Sequence, residues 1–129
     1  MFGRKTKNTI DSLIGNSTTI EGNLYFKGGL RIDGIVRGNV IADSDETSML
    51  VISEHAKVEG EVRVAYLVIN GEITGPVHSS ELLELQPKAR ITGDVYYKAL
   101  EMHGGAIVSG QLTHDQAGEA VLKLAMSNT

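Results

Sequence analysis

The chain has 129 residues, of which 41% are hydrophobic, and it carries 15 glycines, no cysteine and a net charge of −4. This length fits one domain, and the lack of cysteine excludes disulfide bonds and thiolate metal sites. The acidic balance argues against a nucleic-acid partner because no basic face or row of aromatic side chains is evident, and no apolar run reaches the roughly 18 residues of a membrane-spanning helix.

Residues 1–15 form a predicted basic tail that differs in composition from the rest of the chain. The tail has no acidic residue before Asp11 and lacks the apolar middle region of a secretion signal, so we expect a cytoplasmic protein. Two apolar residues followed by cations are typical of a short interfacial anchor, in which each cation adds roughly 1 kcal/mol of attraction to an anionic surface. The predicted membrane-binding residues are Met1, Phe2, Arg4, Lys5 and Lys7.

A single anchor of this kind holds a protein weakly, since its total binding free energy is only a few kcal/mol. A polymer that carries many copies would bind the membrane firmly through avidity. The alternative is a disordered start without a role, because such short motifs also arise by chance.

Residues 16–113 repeat one pattern about every 17 or 18 residues. Two apolar residues at alternate positions precede an apolar-x-Gly-x-apolar group, as in Leu67-x-Ile69 followed by Ile73-x-Gly75-x-Val77. Alternation with a period of two predicts strands, and such frequent glycine disfavours helices, where each glycine costs about 1 kcal/mol. A repeat of this length predicts an all-β solenoid, a single-stranded parallel β-helix of about six triangular coils.

Equivalent positions of successive repeats should lie above one another, so one internal column is expected. Between its first two members the spacing is 22 residues because of a polar insertion over residues 42–48, which should bulge from a corner. A flat antiparallel sheet is the alternative, since Asp33-Gly34 and Asn70-Gly71 could be hairpin turns. Their matching places in two repeats favour corners. The predicted column is Val40, Val62, Val77, Val95 and Leu112.

Residues 114–129 form the predicted carboxyl-terminal tail or cap. Glu119 and Lys123 have the spacing of a helical ion pair, whereas Leu122, Leu124 and Met126 also fit a strand. Either element would be able to cover the last coil.

The sequence contains no phosphate-binding loop and no convergent set of acid, base and nucleophile. We therefore predict no catalytic activity and no nucleotide or other cofactor. The four histidines include no closely spaced pair of the kind that zinc sites often use, so we predict solvated corner residues and no metal. These histidines are His55, His78, His103 and His114.

Two other functions stay open at this point. One is a left-handed hexapeptide-repeat enzyme, an acyltransferase or a carbonic anhydrase-like trimer. In such repeats the apolar residues recur every six positions. Here the spacing between the apolar pair and the next apolar residue switches between four, from Ile32 to Val36, and six, from Ile52 to Val58. The other is a β-helical adaptor that does not polymerise.

The two ends of the rod are the predicted functional surfaces. The first and last coils of a solenoid expose strand edges over an apolar interior, and monomeric solenoids cover these ends with polar caps. No polar cap is evident at either end, so we predict end-to-end polymerisation. Residues 114–129 would instead close one end if they fold over it. The predicted interface consists of Leu24, Phe26 and Leu30 at the amino end and Met102, Ile107, Val108 and Leu112 at the carboxyl end.

One outward position in each repeat holds Arg31, Val51, Val68, Glu84 or Glu101. Two adjacent valines there could form a lateral contact strip. Isolated exposed valines are common on protein surfaces, so this column alone favours no contact.

The chain resembles the bactofilins, a family of bacterial cytoskeletal proteins. The resemblance rests on the Met1-Phe2-Gly3-Arg4-Lys5 start and on the glycine-punctuated repeats, such as those over residues 30–40 and 89–95. It implies a right-handed parallel β-helix that polymerises without nucleotide, through like-to-like contacts of its ends, into filaments without polarity. It also implies a cytoplasmic scaffold that is attached to the inner membrane, positions peptidoglycan-remodelling or membrane proteins and affects cell shape.

The family commonly has proline-rich or longer tails. Here the two prolines, Pro76 and Pro87, lie inside the repeats. Recruitment of partners through a proline-rich tail is therefore not expected.

Overall fold

The computed structural model describes residues 9–43 and 47–115. Regular structure in these ranges consists of strands. They are β1 (Ser12–Ile14), β2 (Thr19–Glu21), β3 (Leu24–Phe26), β4 (Gly29–Ile32), β5 (Ile35–Arg37), β6 (Val40–Ala42), β7 (Met49–Ile52), β8 (Lys57–Glu59), β9 (Val62–Ile69), β10 (Glu72–Thr74), β11 (Val77–Leu85), β12 (Arg90–Thr92), β13 (Val95–Tyr97), β14 (Leu100–Met102), β15 (Ile107–Ser109) and β16 (Leu112–His114).

These strands wind into a three-sided solenoid of six coils, because each strand pairs in parallel with its equivalent in the next turn. Face A contains β1, β4, β7, the second half of β9, the second half of β11, and β14. Face B contains β2, β5, β8, β10, β12 and β15. Face C contains β3, β6, the first halves of β9 and β11, β13 and β16. The predicted β-solenoid is confirmed, and parallel pairing excludes the flat antiparallel sheet.

The predicted internal column is confirmed residue by residue. Val40 is in register with Val62, Val62 with Val77, Val77 with Val95, and Val95 with Leu112. The insertion lies between β6 and β7, where coil 2 passes into coil 3, and its residues 44–46 are outside the described ranges. A one-position shift would turn every apolar side chain outward, so burial of one face enforces this register.

The interior is aliphatic and is built from vertical columns of like residues. On face A, Leu50, Leu67 and Leu83 are in register, and all are at most 1% exposed. Each fully buried aliphatic side chain of this size stabilises the folded state by roughly 1.5–3 kcal/mol relative to exposure. None of the buried core residues that the structure describes is aromatic, and the core depends instead on repetition of the same aliphatic contact in every coil.

The corner between faces B and C is the tightest part of the coil. A Cβ atom at Gly75 would lie 2.2 Å from the carbonyl oxygen of Gly60, the equivalent glycine one coil below, and Gly75 also has a φ of +146°. The neighbouring position completes the corner, since Asn39 Oδ1 accepts a hydrogen bond of 2.8 Å from the backbone N–H of Glu61. The glycine column consists of Gly22, Gly38, Gly60, Gly75, Gly93 and Gly110.

The corner between faces C and A, named here the C–A edge, has a different construction. Strands β9 and β11 pass through it without a turn. At Ala65, the backbone N–H donates to Ser48 Oγ and the carbonyl accepts from Ser79 Oγ, each at 3.0 Å. Both serines are buried, so these bonds satisfy polar groups that would otherwise destabilise the interior.

The first strand, β1, begins at Ser12, inside the segment predicted as a tail over residues 1–15. Its residues Ser12 and Ile14 are in register with Leu30 and Ile32 of the next coil. Because a polar serine occupies the inward position, the apolar pattern did not predict this strand. Within the described ranges, the structure contains no helix with the length and apolar character that crossing a membrane requires.

Candidate polymerisation interface

Both terminal coils have strand partners on one side only, as far as the described residues extend. At the amino end β1, β2 and β3 pair with β4, β5 and β6. At the carboxyl end β14, β15 and β16 pair with β11, β12 and β13. The outer edge of each terminal coil therefore presents backbone donors and acceptors to which a further strand can bond.

At the carboxyl end no described residue covers the apolar interior. Leu85 is 0% exposed, whereas Met102, its equivalent in the last coil, is 46% exposed. Along the valine column, Val95 is 0% exposed and Leu112 is 41% exposed. These side chains occupy interior positions and become exposed because no described coil follows them. Residues 116–129, suggested by the sequence as a possible cover, lie outside the described residues.

Val108 belongs to the same end surface, since it is partly buried and packs against the core in register with Ile91. Sequence analysis missed two neighbours, Leu100 and Ala106, which also pack against the core from the last coil. Leu100 was recognisable as the first residue of the last apolar pair, and Ala106 is too small to stand out in the repeat.

At the amino end, Leu24 and Phe26 are partly buried against the core, in register with Val40 and Ala42 of the next coil. Ile14 and Ile20 occupy the corresponding places on faces A and B. These two were missing from the predicted interface, although the Ile20-x-Gly22-x-Leu24 group marked the first coil.

Two residues of the predicted interface lie elsewhere. Leu30 is 3% exposed because β4 is covered by β1, so it belongs to the interior of coil 2 and not to the rim. Ile107 is 49% exposed and is in register with the exposed Arg90, so it points to the outside of face B. The strand alternation that places Val108 inside turns Ile107 outward.

The histidines lie on the surface of the solenoid or near its end. His103 Nε2 lies 3.1 Å from Glu84 Oε2, and with Glu101 these side chains form a group whose ligand atoms lie within 4.8 Å of one another. Glu84 and Glu101 are directly opposite in register, and His103 lies beside them. We interpret this group as a surface hydrogen-bond contact.

His78 is the histidine with the most distinctive surroundings. Its ring stacks on Tyr96 with 4.7 Å between centroids. Burial lowers the pKa of His78 below its ordinary value, and the Arg63 guanidinium lowers this pKa further, while Glu61 and Asp115 act in the opposite direction. The folded protein therefore binds fewer protons at His78 than the unfolded chain does.

Replacing His78 by glutamine is expected to flatten the acid dependence of stability. In the wild type, the stability associated with neutral His78 is present above its unfolded pKa of 6.5 and is lost as pH falls through the lower folded pKa. Urea unfolding between about pH 8 and pH 5 should show a smaller loss of unfolding free energy for H78Q than for the wild type. The control is H55Q, at a side chain that is 78% exposed, and equal losses in wild type and H78Q would contradict the assignment.

Comparison with known proteins agrees with this geometry. Residues 12–113 match a family described as bactofilin, polymer-forming cytoskeletal. The chain is 26% identical over 114 residues to bactofilin BacO of Myxococcus xanthus strain DK1622, covering 88% of this chain and 87% of the relative. It is also similar to a cryo-EM structure of Thermus thermophilus bactofilin double helical filaments, with a TM-score of 0.73, 31% identity and coverage of 80% of this chain and 98% of that one.

The family match extends from the first described strand to the last. The match covers all six coils of the solenoid, and the chain belongs to the bactofilin family, which is described as polymer-forming and cytoskeletal.

Proposed function

We propose that this chain is a cytoskeletal scaffold that polymerises without nucleotide by stacking the ends of its solenoid. The observation that carries the proposal is the carboxyl end, where two interior columns change from 0% exposed at Leu85 and Val95 in coil 5 to more than 40% exposed at Met102 and Leu112 in coil 6. A second copy on this surface would bury those side chains and pair the free strand edges. The proposal gives the protein a structural role without catalysis.

The contact is proposed to be like-to-like, so that carboxyl ends meet carboxyl ends and amino ends meet amino ends. Each end is apolar over its centre, with Met102 and Leu112 at one end and Leu24 and Phe26 at the other. An isologous contact of this kind uses the same surface on both copies. Alternation of the two contacts yields a filament without polarity.

Electron microscopy of the purified chain, with and without added ATP or GTP, tests polymerisation. We expect threads many molecules long in all samples. A discrete trimer by light scattering would instead support the hexapeptide-repeat enzyme, and a stable dimer that does not elongate would support the adaptor.

We further propose that the polymer is attached to the inner face of the cytoplasmic membrane through Met1, Phe2, Arg4, Lys5 and Lys7. These residues lie outside the described ranges. Their composition supports the proposal, since two apolar residues and three cations suit an anionic membrane surface. The first described residue, Thr9, lies at the C–A edge, where a Cβ at Gly29 would be 2.1 Å from the Thr9 oxygen. A cytoplasmic location agrees with the cytoskeletal description of the family.

Replacing Phe2 by glutamate should release the filaments from anionic vesicles without shortening them. The substitution removes apolar insertion and adds a negative charge, while the solenoid ends are unchanged. Co-sedimentation with vesicles containing an anionic phospholipid measures attachment, and electron microscopy measures length. Vesicles made only of a zwitterionic lipid are the control, and undiminished pelleting of F2E with anionic vesicles would contradict the anchor.

Attached filaments are proposed to position peptidoglycan-remodelling or membrane proteins and thereby affect cell shape. The support is the repetition of one surface at regular intervals along a polymer, which multiplies weak contacts with a partner.

A further inference from the structure

The outer surface of face A carries an apolar patch, of which sequence analysis recognised only the two valines. In coils 3 to 5, five partly exposed apolar side chains point outward and adjoin one another in two columns. Outward positions of a sheet with one solvent-facing side are ordinarily polar. The residues of this face A patch are Met49, Val51, Tyr66, Val68 and Leu82.

Charges on face A are segregated along the rod. Arg31 lies on the amino side of the patch in coil 2, and Glu84 lies on the carboxyl side in coil 5. Arg31 donates to Asp33 through Nε at 2.9 Å. Glu84 accepts from Gln86 at 3.2 Å and lies 3.1 Å from His103 Nε2. The Arg31 and Glu84 side chains nevertheless stay 48% and 26% exposed. Both can therefore meet a partner.

Face B differs from face A in the order of its charges. On face B opposite charges alternate from coil to coil, as in Arg37 with Glu59 at 3.6 Å and Lys57 with Glu72 at 3.8 Å, so the two signs are not separated along the rod. Face A, with its apolar centre and opposite charges on either side, is complementary to a second copy of itself.

We infer that face A is a lateral contact between two copies of this chain that run antiparallel. A two-fold axis between coils 3 and 4 places Val51 opposite Val68 and Arg31 opposite Glu84, and the second Arg31–Glu84 pair follows by symmetry. A parallel arrangement would place Arg31 opposite Arg31 and Glu84 opposite Glu84. Repulsion between like charges disfavours the parallel arrangement.

The contact is too small to hold two single molecules. Six coils of four-residue strands give a face about 29 Å long and about 13 Å wide, or about 380 Å². Stable interfaces bury about 800 Å² on each partner. Pairing of strands is therefore expected only where polymerisation aligns many copies, so this inference rests on the proposed function, and avidity provides the missing strength.

Electron microscopy of V68E polymers tests the lateral contact. The substitution places two carboxylates at the centre of the patch, where the two-fold axis brings them close together, whereas the ends of the solenoid are untouched. We expect the fraction of paired filaments to fall by at least about tenfold, which corresponds to about 1.4 kcal/mol, while filament length stays the same. The control is T74E, which adds a carboxylate in coil 4 on face B, beside Glu59, and should leave pairing unchanged.

A charge exchange provides a second and independent test. R31E should reduce pairing because like charges then face each other, and E84R should do the same. The double variant R31E/E84R restores opposite charges and should recover paired filaments to within about twofold of the wild type. Recovery would support the antiparallel arrangement, since a parallel contact would gain nothing from the exchange.

The outcomes are distinguishable from those for polymerisation itself. Wild-type filaments one strand wide, or equal pairing in V68E and T74E, would overturn the lateral contact while leaving end-to-end assembly intact. Failure of R31E/E84R to exceed R31E would overturn the antiparallel arrangement. Absence of any wild-type filament would instead overturn the proposed function.

Discussion

Replacing Val108 by arginine is expected to convert filaments into short soluble oligomers. Val108 lies inward in the last coil and packs against the core, so a second copy on this end would enclose an unpaired guanidinium. Removing such a charge from water without a partner costs several kcal/mol, which is enough to abolish the contact. In the unassembled molecule the arginine side chain reaches solvent through the open end, so the fold should persist.

The size of the V108R product reports the geometry of assembly. If contacts are like-to-like, blocked carboxyl ends leave the amino-end contact, and dimers result. If carboxyl ends meet amino ends, monomers result. Light scattering after removal of large particles measures the mass, and circular dichroism confirms the fold.

The matched control for V108R is I107R, one position earlier in β15. Ile107 points to the outside of face B, so arginine there should leave filament length unchanged. Full-length filaments from V108R would show that the carboxyl end is not a contact. Equal loss of filaments in both variants would point to damage of the last coil instead.

The largest expected effect on stability is that of Gly75→Ala. The new Cβ would lie 2.2 Å from the Gly60 carbonyl oxygen, and the φ of +146° is unfavourable for any residue with a side chain. Left-handed backbone costs roughly 1–2 kcal/mol, and forced repacking of a tight site typically costs another 1–3 kcal/mol. Urea unfolding should show a loss of about 3 kcal/mol or more in unfolding free energy.

Two further glycines separate the contributions to this loss. Gly22 has a φ of +128° with nothing within 4 Å of its Cβ position, so G22A measures backbone strain alone. Gly38 does not have a positive φ, but its Cβ would lie 2.1 Å from the Gly22 oxygen, so G38A measures the steric clash alone. If G75A lowers the unfolding free energy no more than G22A does, close contact between the coils does not contribute to the cost of a side chain at this corner.

The interior of this fold was predictable because every coil packs similar aliphatic residues at equivalent positions. Once one Leu-x-Ile pair is taken to face inward, the repeat length brings the next pair above it, as with Leu50 and Leu67. The five-member valine and leucine column followed from spacing alone, including the long step across the insertion. Because of this repetition, the contacts between residues far apart in the sequence could be predicted from the repeat spacing.

Features that break the repeat were not predictable. Ser12 occupies an inward place where later coils have leucine, so the first strand was hidden. Leu30 and Ile107 were assigned to the rim because nearness to the ends of the repeat was used in place of side-chain direction and coverage by neighbouring coils. The face A patch combines two columns, and its second column, with Met49, Tyr66 and Leu82, lies outside the apolar-pair motif.

The C–A edge holds the first and last described residues of the chain and the long insertion. The backbone enters beside Gly29, the insertion leaves after Ala42 and returns before Ser48, and Asp115 follows the last face C strand at the same edge. The corner between faces B and C is closely stacked at its glycines, and the corner between faces A and B varies only between two and four residues. A tag or a foreign domain inserted between Asp43 and Thr47 would therefore project from the C–A edge of every molecule. The three faces of the solenoid would stay unchanged.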